Sequence, residues 1–144
     1  MQIEISNERS GYHLSLRKHK ENERGDVFTV LHPFKVRWNG ERLHVSRHFE
    51  SDGASVPRLL WWLVFPSEDL TALRAAIAHD YIYRTHPAGW SKEEADQMFY
   101  DTLIRDGVAK WRAWIAYKGV AWFGIYAWRK SFIEMGGCAD GNSK

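Results

Sequence analysis

Four residues in the middle of this chain have the types and spacing of a proton-transfer site. His79 and Asp80 are adjacent, Tyr83 follows His79 by four, and Asp96 lies beyond a break at His86-Pro87-Ala88-Gly89. His79 stands seven residues before that break and Asp96 seven after it. If the flanking helices pack antiparallel, the two side chains face each other. A carboxylate beside an imidazole fixes its tautomer and stabilises the imidazolium, while the other ring nitrogen deprotonates a water. Tyr83 shares the His79 face of its helix and can donate a hydrogen bond to Asp96. His79, Asp96 and Tyr83 are the candidate catalytic residues. Asp80 points about 100° away from His79. With Asp52, in the turn-rich Ser51–Ser55 segment, it is the candidate metal pair, and a hard cation such as calcium suits carboxylate oxygens.

A bland reading stands beside each assignment. His79 can be a satisfied core histidine, and Asp80 can pair with Arg84 at i,i+4 for roughly 0.3–0.5 kcal/mol. Asp52 with Gly53 can simply form an Asx-type turn. His44 and His48, four apart, read as strand-edge residues rather than ligands, as do His13 and His32.

The elements that must position these groups fall into two halves. Residues 2–6, 12–17, 26–38 and 42–49 read as strands. Pro33 splits the third run into two strands or one bulged edge strand. Asn39-Gly40 marks a hairpin, because both residues tolerate positive φ. A small antiparallel sheet of three or four strands is expected. Ser55 and Pro57 introduce a short apolar helix, Arg58–Phe65, which Pro66 stops. Ser67 reads as the N-cap of a helix over 68–84, with Glu68 and Asp69 in its first turn. Ser91 and Glu94 form a capping box that starts the next helix at Lys92, and Gly107 ends it.

A last helix over 109–132 has apolar residues nearly all round, with Lys118 near its middle. Burial against the domain or a partner is the expected state of this helix. Its Trp, Tyr and basic residues also suit a membrane interface, whereas a full span is disfavoured by the interrupting charges. The fold class is therefore α+β, one domain over 1–135 with a flexible tail at 136–144.

Composition narrows the function classes. The chain has 144 residues, 44% hydrophobic and 26% charged, so it can bury a sizeable core. A formal net charge of +2 gives no argument for nucleic acid. A single cysteine, Cys138, allows no internal disulfide, and no zinc-ligand spacing occurs. The first ten residues carry charges and no apolar run, so they do not read as a signal peptide. No Gly-rich phosphate loop or Gly-x-Ser-x-Gly elbow occurs.

The segments SDGASVPRLLWW, AAIAHDYIYR and SKEEADQMFYDTLIRDGV, in that order, resemble the phage and prophage proteins grouped as domain-of-unknown-function family 1353. The resemblance covers roughly residues 45–125. It implies a phage or prophage source, with the host cytoplasm or the virion as location, and no established activity. More distantly, His-Asp-x-x-Tyr followed by Ala-Asp-x-x-Phe is similar to the two-helix core of secreted phospholipases A2. That resemblance implies that His79 activates a water, Asp80 binds calcium, Asp96 orients His79 and Tyr83 supports it. The disulfides and the Cys-containing calcium loop of that core have no counterpart here, and Asp52-Gly53-Ala54-Ser55 is the candidate substitute. Two functions are expected from these readings. One is a calcium-assisted hydrolase of an ester or phospholipid, working at a membrane surface. The other is a non-catalytic phage tail or virion component that meets phage structural proteins through the Trp-rich helix.

Overall fold

The structure is a computed structural model and describes residues 1–8, 10–20, 26–51 and 70–136. Asp52, Ser55, the 58–65 helix, Ser67 with its first-turn acids, and tail residues 137–144 lie outside the described residues.

The N-terminal part is antiparallel, as the alternating pattern requires. Strands β1 (Gln2–Asn7), β2 (Tyr12–Lys20), β3 (Asp26–Val30) and β6 (Glu50–Ser51) form one sheet in the order β1-β2-β3-β6. Ile3 pairs with Leu16, and Leu16 with Val30, so the buried aliphatics line up across one face. Strands β4 (Phe34–Trp38) and β5 (Glu41–Val45) form a separate two-stranded hairpin. Its turn has φ of 47° at Asn39 and 79° at Gly40, the double positive φ that matches strand twist.

The run split by Pro33 is two strands, one of the two outcomes expected, but they lie in two different sheets rather than in the single sheet expected, because His32 and Pro33 leave the first sheet before Phe34 begins the hairpin. One strand end also needs correction. The return strand ends at Val45 rather than running to Phe49. His48, at φ 69°, turns the chain, and its N–H donates to Val30 O at 2.8 Å. The chain then rejoins the first sheet as β6.

Three helices follow: α1 (Leu73–Thr85), α2 (Lys92–Asp106) and α3 (Lys110–Glu134). Helix α1 begins at Leu73, after an Ala72 that provides no side-chain cap, rather than near Glu68. A buried ion pair anchors this first turn. Arg74 Nε donates to Asp106 Oδ2 at 3.0 Å, and Nη2 lies 2.5 Å from Oδ1. Ser10 Oγ and Asn7 Nδ2 donate to Asp106 Oδ1 and O, so the same aspartate fastens the β1-β2 turn to the helices. The Arg74 guanidinium also lies 4.0 Å from the Tyr12 ring centroid.

Helix α2 opens with the expected capping box. Glu94 N donates to Ser91 Oγ at 3.2 Å and Ser91 N to Glu94 Oε2 at 2.9 Å. It ends at Gly107, whose φ is 109°.

Helix α1 is the centre of the helical part, buried from Leu73 to Asp80 and again at Ile82 and Tyr83. Its Leu73, Ile77 and Ile82 join the core formed by the strands. Its Ala72, Ala75 and Ala76 form a second cluster with Phe99 and Leu103 of α2 and Ala113, Ala116 and Val120 of α3. Small residues let these three helix backbones approach closely. The expectation that α3 is buried holds for only one stripe. Ala113, Ala116, Gly119, Val120, Gly124 and Trp128 face inward, and most of the large aromatics face out. No helix of the described residues is long and apolar enough to cross a membrane.

Candidate functional site

The site is built where α1, α2 and α3 meet. Helix α1 brings His79 and Tyr83 to one face, as i,i+4 spacing dictates. Helix α2, fixed in register by its capping box, brings Lys92 and Asp96 to the facing side, again four residues apart. The short turn at His86–Gly89 sets the two pairs opposite one another.

Asp96 is the hub. His79 Nε2 donates to its Oδ1 at 2.7 Å, and Tyr83 OH donates to the same oxygen at 2.6 Å. Lys92 Nζ donates to Oδ2 at 2.6 Å. The lysine is held in turn by α3, through Ala121 O at 3.1 Å and Val120 O at 3.4 Å. The His79 ring rests on the Tyr83 ring, 4.2 Å between centroids, and against Phe99 at 4.9 Å. Tyr83 meets Trp128 edge-on at 5.1 Å. All four polar groups are buried, and His79 is 0% exposed.

Charge in such a place is tolerated only when paired and hydrogen-bonded. Burial opposes ionisation of Asp96. The hydrogen bond and charge of His79, followed by the bonds from Lys92 and Tyr83, outweigh it and hold the carboxyl below its ordinary range. The Tyr83 phenol is pushed far up, first by burial and then by the adjacent Asp96 charge, so it remains a donor. Because Asp96 accepts from Nε2, a neutral ring carries its proton on Nε2 and its lone pair on Nδ1.

The geometry therefore brings together His79, Tyr83 and Asp96 as the spacing about the turn suggested. Lys92 was read from sequence only as the first residue of a helix, although its i,i+4 relation to Asp96 was visible. Gly124 was missed as well. It lies against Tyr83 on α3 and gives the phenol room, since a Cβ there would sit 2.6 Å from the hydroxyl.

Asp80 belongs to a different surface of α1. It is 1% exposed, and its Oδ1 lies 3.3 Å from Arg84 Nε, the pairing of the bland reading. Arg84 Nη1 also donates to Glu50 O at 3.3 Å, so the end of β6 lies beside the Asp80–Arg84 turn of α1. A calcium ion takes about six to eight oxygen ligands. Among the described residues no group of three His, Cys, Asp or Glu side chains could hold a metal. Asp80 contributes one carboxylate, already shared with a guanidinium, and Asp52 lies outside the described residues. His13, His32, His44 and His48 are exposed and away from this site, with His13 Nε2 2.8 Å from Glu4.

Comparison with known proteins places these residues in a family. A family model described as Protein of unknown function (DUF1353) matches residues 28–120, a stretch that includes His79, Asp80, Tyr83, Lys92 and Asp96. An uncharacterized protein, y4iH, of Sinorhizobium fredii (strain NBRC 101917 / NGR234) is 33% identical over 89 residues, 62% of this chain and 36% of that protein. A second from the same organism, y4jT, is 29% identical over 86 residues, 60% of this chain and 25% of its own length. The chain thus spans about a third of one relative and a quarter of the other. No solved structure matches it. The chain belongs to the family of proteins of unknown function designated DUF1353.

Proposed function

We propose that this is a phage- or prophage-encoded hydrolase of esters or phospholipids with a site like that of phospholipase A2, acting in the host cytoplasm or the virion. The observation that carries the reading is the His79–Asp96 hydrogen bond of 2.7 Å, with Tyr83 on the same carboxylate oxygen. In this reading Asp96 holds Nε2–H, so Nδ1 takes a proton from a water as its oxygen adds to the ester carbonyl. The same proton then passes to the leaving alcohol as the carbon–oxygen bond breaks. Asp96 supports the imidazolium formed between these steps, and Tyr83 with Lys92 keeps Asp96 ionised and oriented. Calcium is proposed between Asp80 and Asp52, where it would polarise the carbonyl. His79 is fully enclosed, so this chemistry requires that water and ester be admitted beside Nδ1.

The test is release of fatty acid from phospholipid vesicles, with and without calcium, for the wild type, His79→Gln and Asp80→Asn. Activity that needs His79 and falls in Asp80→Asn supports the reading. Activity unchanged in His79→Gln, or none in any condition, removes it.

The enclosure of His79 together with the exposed aromatics of α3 favours a second reading, a non-catalytic phage tail or virion component. There the polar cluster is a structural network and α3 the assembly surface. Absence of the protein from purified particles would count against it.

A further inference from the structure

Helix α3 carries its apolar residues in an unusual sense. The stripe that packs on α1 and α2 is mostly small: Ala113, Ala116, Gly119 and Gly124. The opposite stripe, at spacings of three and four, holds Trp111, Trp114, Trp122 and Tyr126, with Lys118 and Arg129 in the same line. Trp122 is 73% exposed and Tyr126 74%, values that no ordinary core-facing helix shows for its largest side chains. Ile125 and Ile133 extend the same face.

Apart from its last residue, Glu134, the charges on this helix have one sign. Lys110, Arg112, Lys118, Arg129 and Lys130 are cationic, and no acid occurs from Lys110 to Ile133. The cations lie along the rings. Lys118 Nζ is 5.6 Å from the Trp114 centroid, and Arg112 Cζ is 5.4 Å from that of Trp111. A partner for this face must therefore be apolar beneath and anionic at the level of the lysine and arginine heads. A second copy of the chain does not meet this requirement, because joining two such faces brings cation against cation with no acid between them. An anionic bilayer does. Its interface takes Trp and Tyr rings at headgroup depth, while Lys and Arg extend to the phosphates.

We propose that the outward face of α3 lies along the surface of an anionic lipid bilayer, with Trp111, Trp114, Trp122 and Tyr126 inserted and Lys118 and Arg129 paired with lipid phosphates. The helix lies on the membrane rather than through it. The interaction stands apart from the hydrolase reading, since it uses none of the site residues.

Flotation with vesicles tests it. The wild type is to be compared on phosphatidylcholine alone and on phosphatidylcholine mixed with phosphatidylglycerol, in low and high salt. Binding to the anionic vesicles should exceed binding to neutral ones by roughly tenfold and weaken as salt rises. Trp122→Ser with Tyr126→Ser, and separately Lys118→Glu with Arg129→Glu, should each lose it while melting as the wild type does. Trp122, Tyr126 and Arg129 are exposed and Lys118 is half-buried, and either pair alone suffices if the other fails to fold. His79→Gln should bind as the wild type does, so vesicle binding without hydrolysis would remove the proposed activity and leave this surface. No binding to anionic vesicles, equal binding to neutral ones, or self-association lost in the Trp122→Ser variant would overturn the proposal.

Discussion

Gly124 of α3 and Tyr83 of α1 occupy a space too small for one more methyl group. A Cβ at position 124 would lie 2.6 Å from the Tyr83 hydroxyl and 3.2 Å from the ring edge. The phenol cannot yield easily, because its hydroxyl is bound to Asp96 and its ring is wedged between His79 and Trp128. Gly124→Ala should therefore strain the site, destabilising the fold by about 1–3 kcal/mol, the usual cost of overpacking. Combining it with Tyr83→Phe should recover part of that loss, because the clashing oxygen is removed. Thermal melts of the two single variants and the double variant give the answer. Strict additivity would show that position 124 acts elsewhere.

Lys92 is the cation that makes an ionised Asp96 tolerable beside α3. It is almost wholly enclosed, and its Nζ donates to the carboxylate and to two helix carbonyls. Lys92→Met keeps much of the stem and removes the charge, and Asp96→Asn neutralises the acceptor. A double-mutant cycle on these two should give a coupling of roughly 0.5–3 kcal/mol. Asp96→Ala, which strands a buried lysine and histidine, should cost more, about 3–5 kcal/mol. A coupling near zero would mean that the lysine leaves the site in solution.

Acid should loosen this site in a specific direction. The Asp96 carboxyl is held below its ordinary range in the folded chain, so the unfolded chain takes up a proton there at higher pH than the folded one does. The contribution is fully present above the ordinary aspartate pKa of about 3.9 and is lost as pH falls towards the lower folded value. Denaturant unfolding across that range should show a steeper acid decline for the wild type than for Asp96→Asn. Parallel declines would remove Asp96 from the acid response.

The His79–Asp96 pairing was readable because the turn is bounded by strong punctuation, His86-Pro87 on one side and the Ser91–Glu94 capping box on the other. Counting outward from a fixed turn gives register on both helices. Other parts had no local signal. Arg74 and Asp106 are 32 residues apart, and nothing near either residue announces a buried pair. Gly124 announces a close approach but not to what. Strand alternation gives the inward face, as at Leu14 and Leu16, yet says nothing about partners. Hence the β4-β5 hairpin and the four-stranded sheet could not be told from one sheet. For α3 the difficulty is that apolar residues occur all round. A helical wheel cannot say whether the small stripe or the large one packs inward, and the packing of α3 against Ala75 and Ala76 of α1 and Phe99 and Leu103 of α2 decides it.

His86 ends α1 in the left-handed region, at φ 44°, where a branched or bulky residue is strained. Its ring compensates by packing on Trp128 at 4.1 Å and Phe132 at 5.6 Å, with Nε2 2.7 Å from Ser131 Oγ. The serine hydroxyl has one proton, and its short bond to Tyr83 O uses it, so the imidazole is the donor to Oγ. Burial holds His86 below the ordinary histidine value, so the folded chain keeps the ring neutral at a pH where the unfolded chain already protonates it. This contribution is complete above about 6.5 and lost as pH falls through that value towards the folded one. His86→Asn keeps a side chain that accepts the left-handed conformation while removing both the titration and the ring contacts. It should melt lower than the wild type near neutral pH and show a flatter dependence between neutrality and mild acid. An unchanged slope in His86→Asn would assign that pH dependence to another group. An unchanged melting temperature at neutral pH would mean that the His86 ring does not help hold the end of α1 to α3.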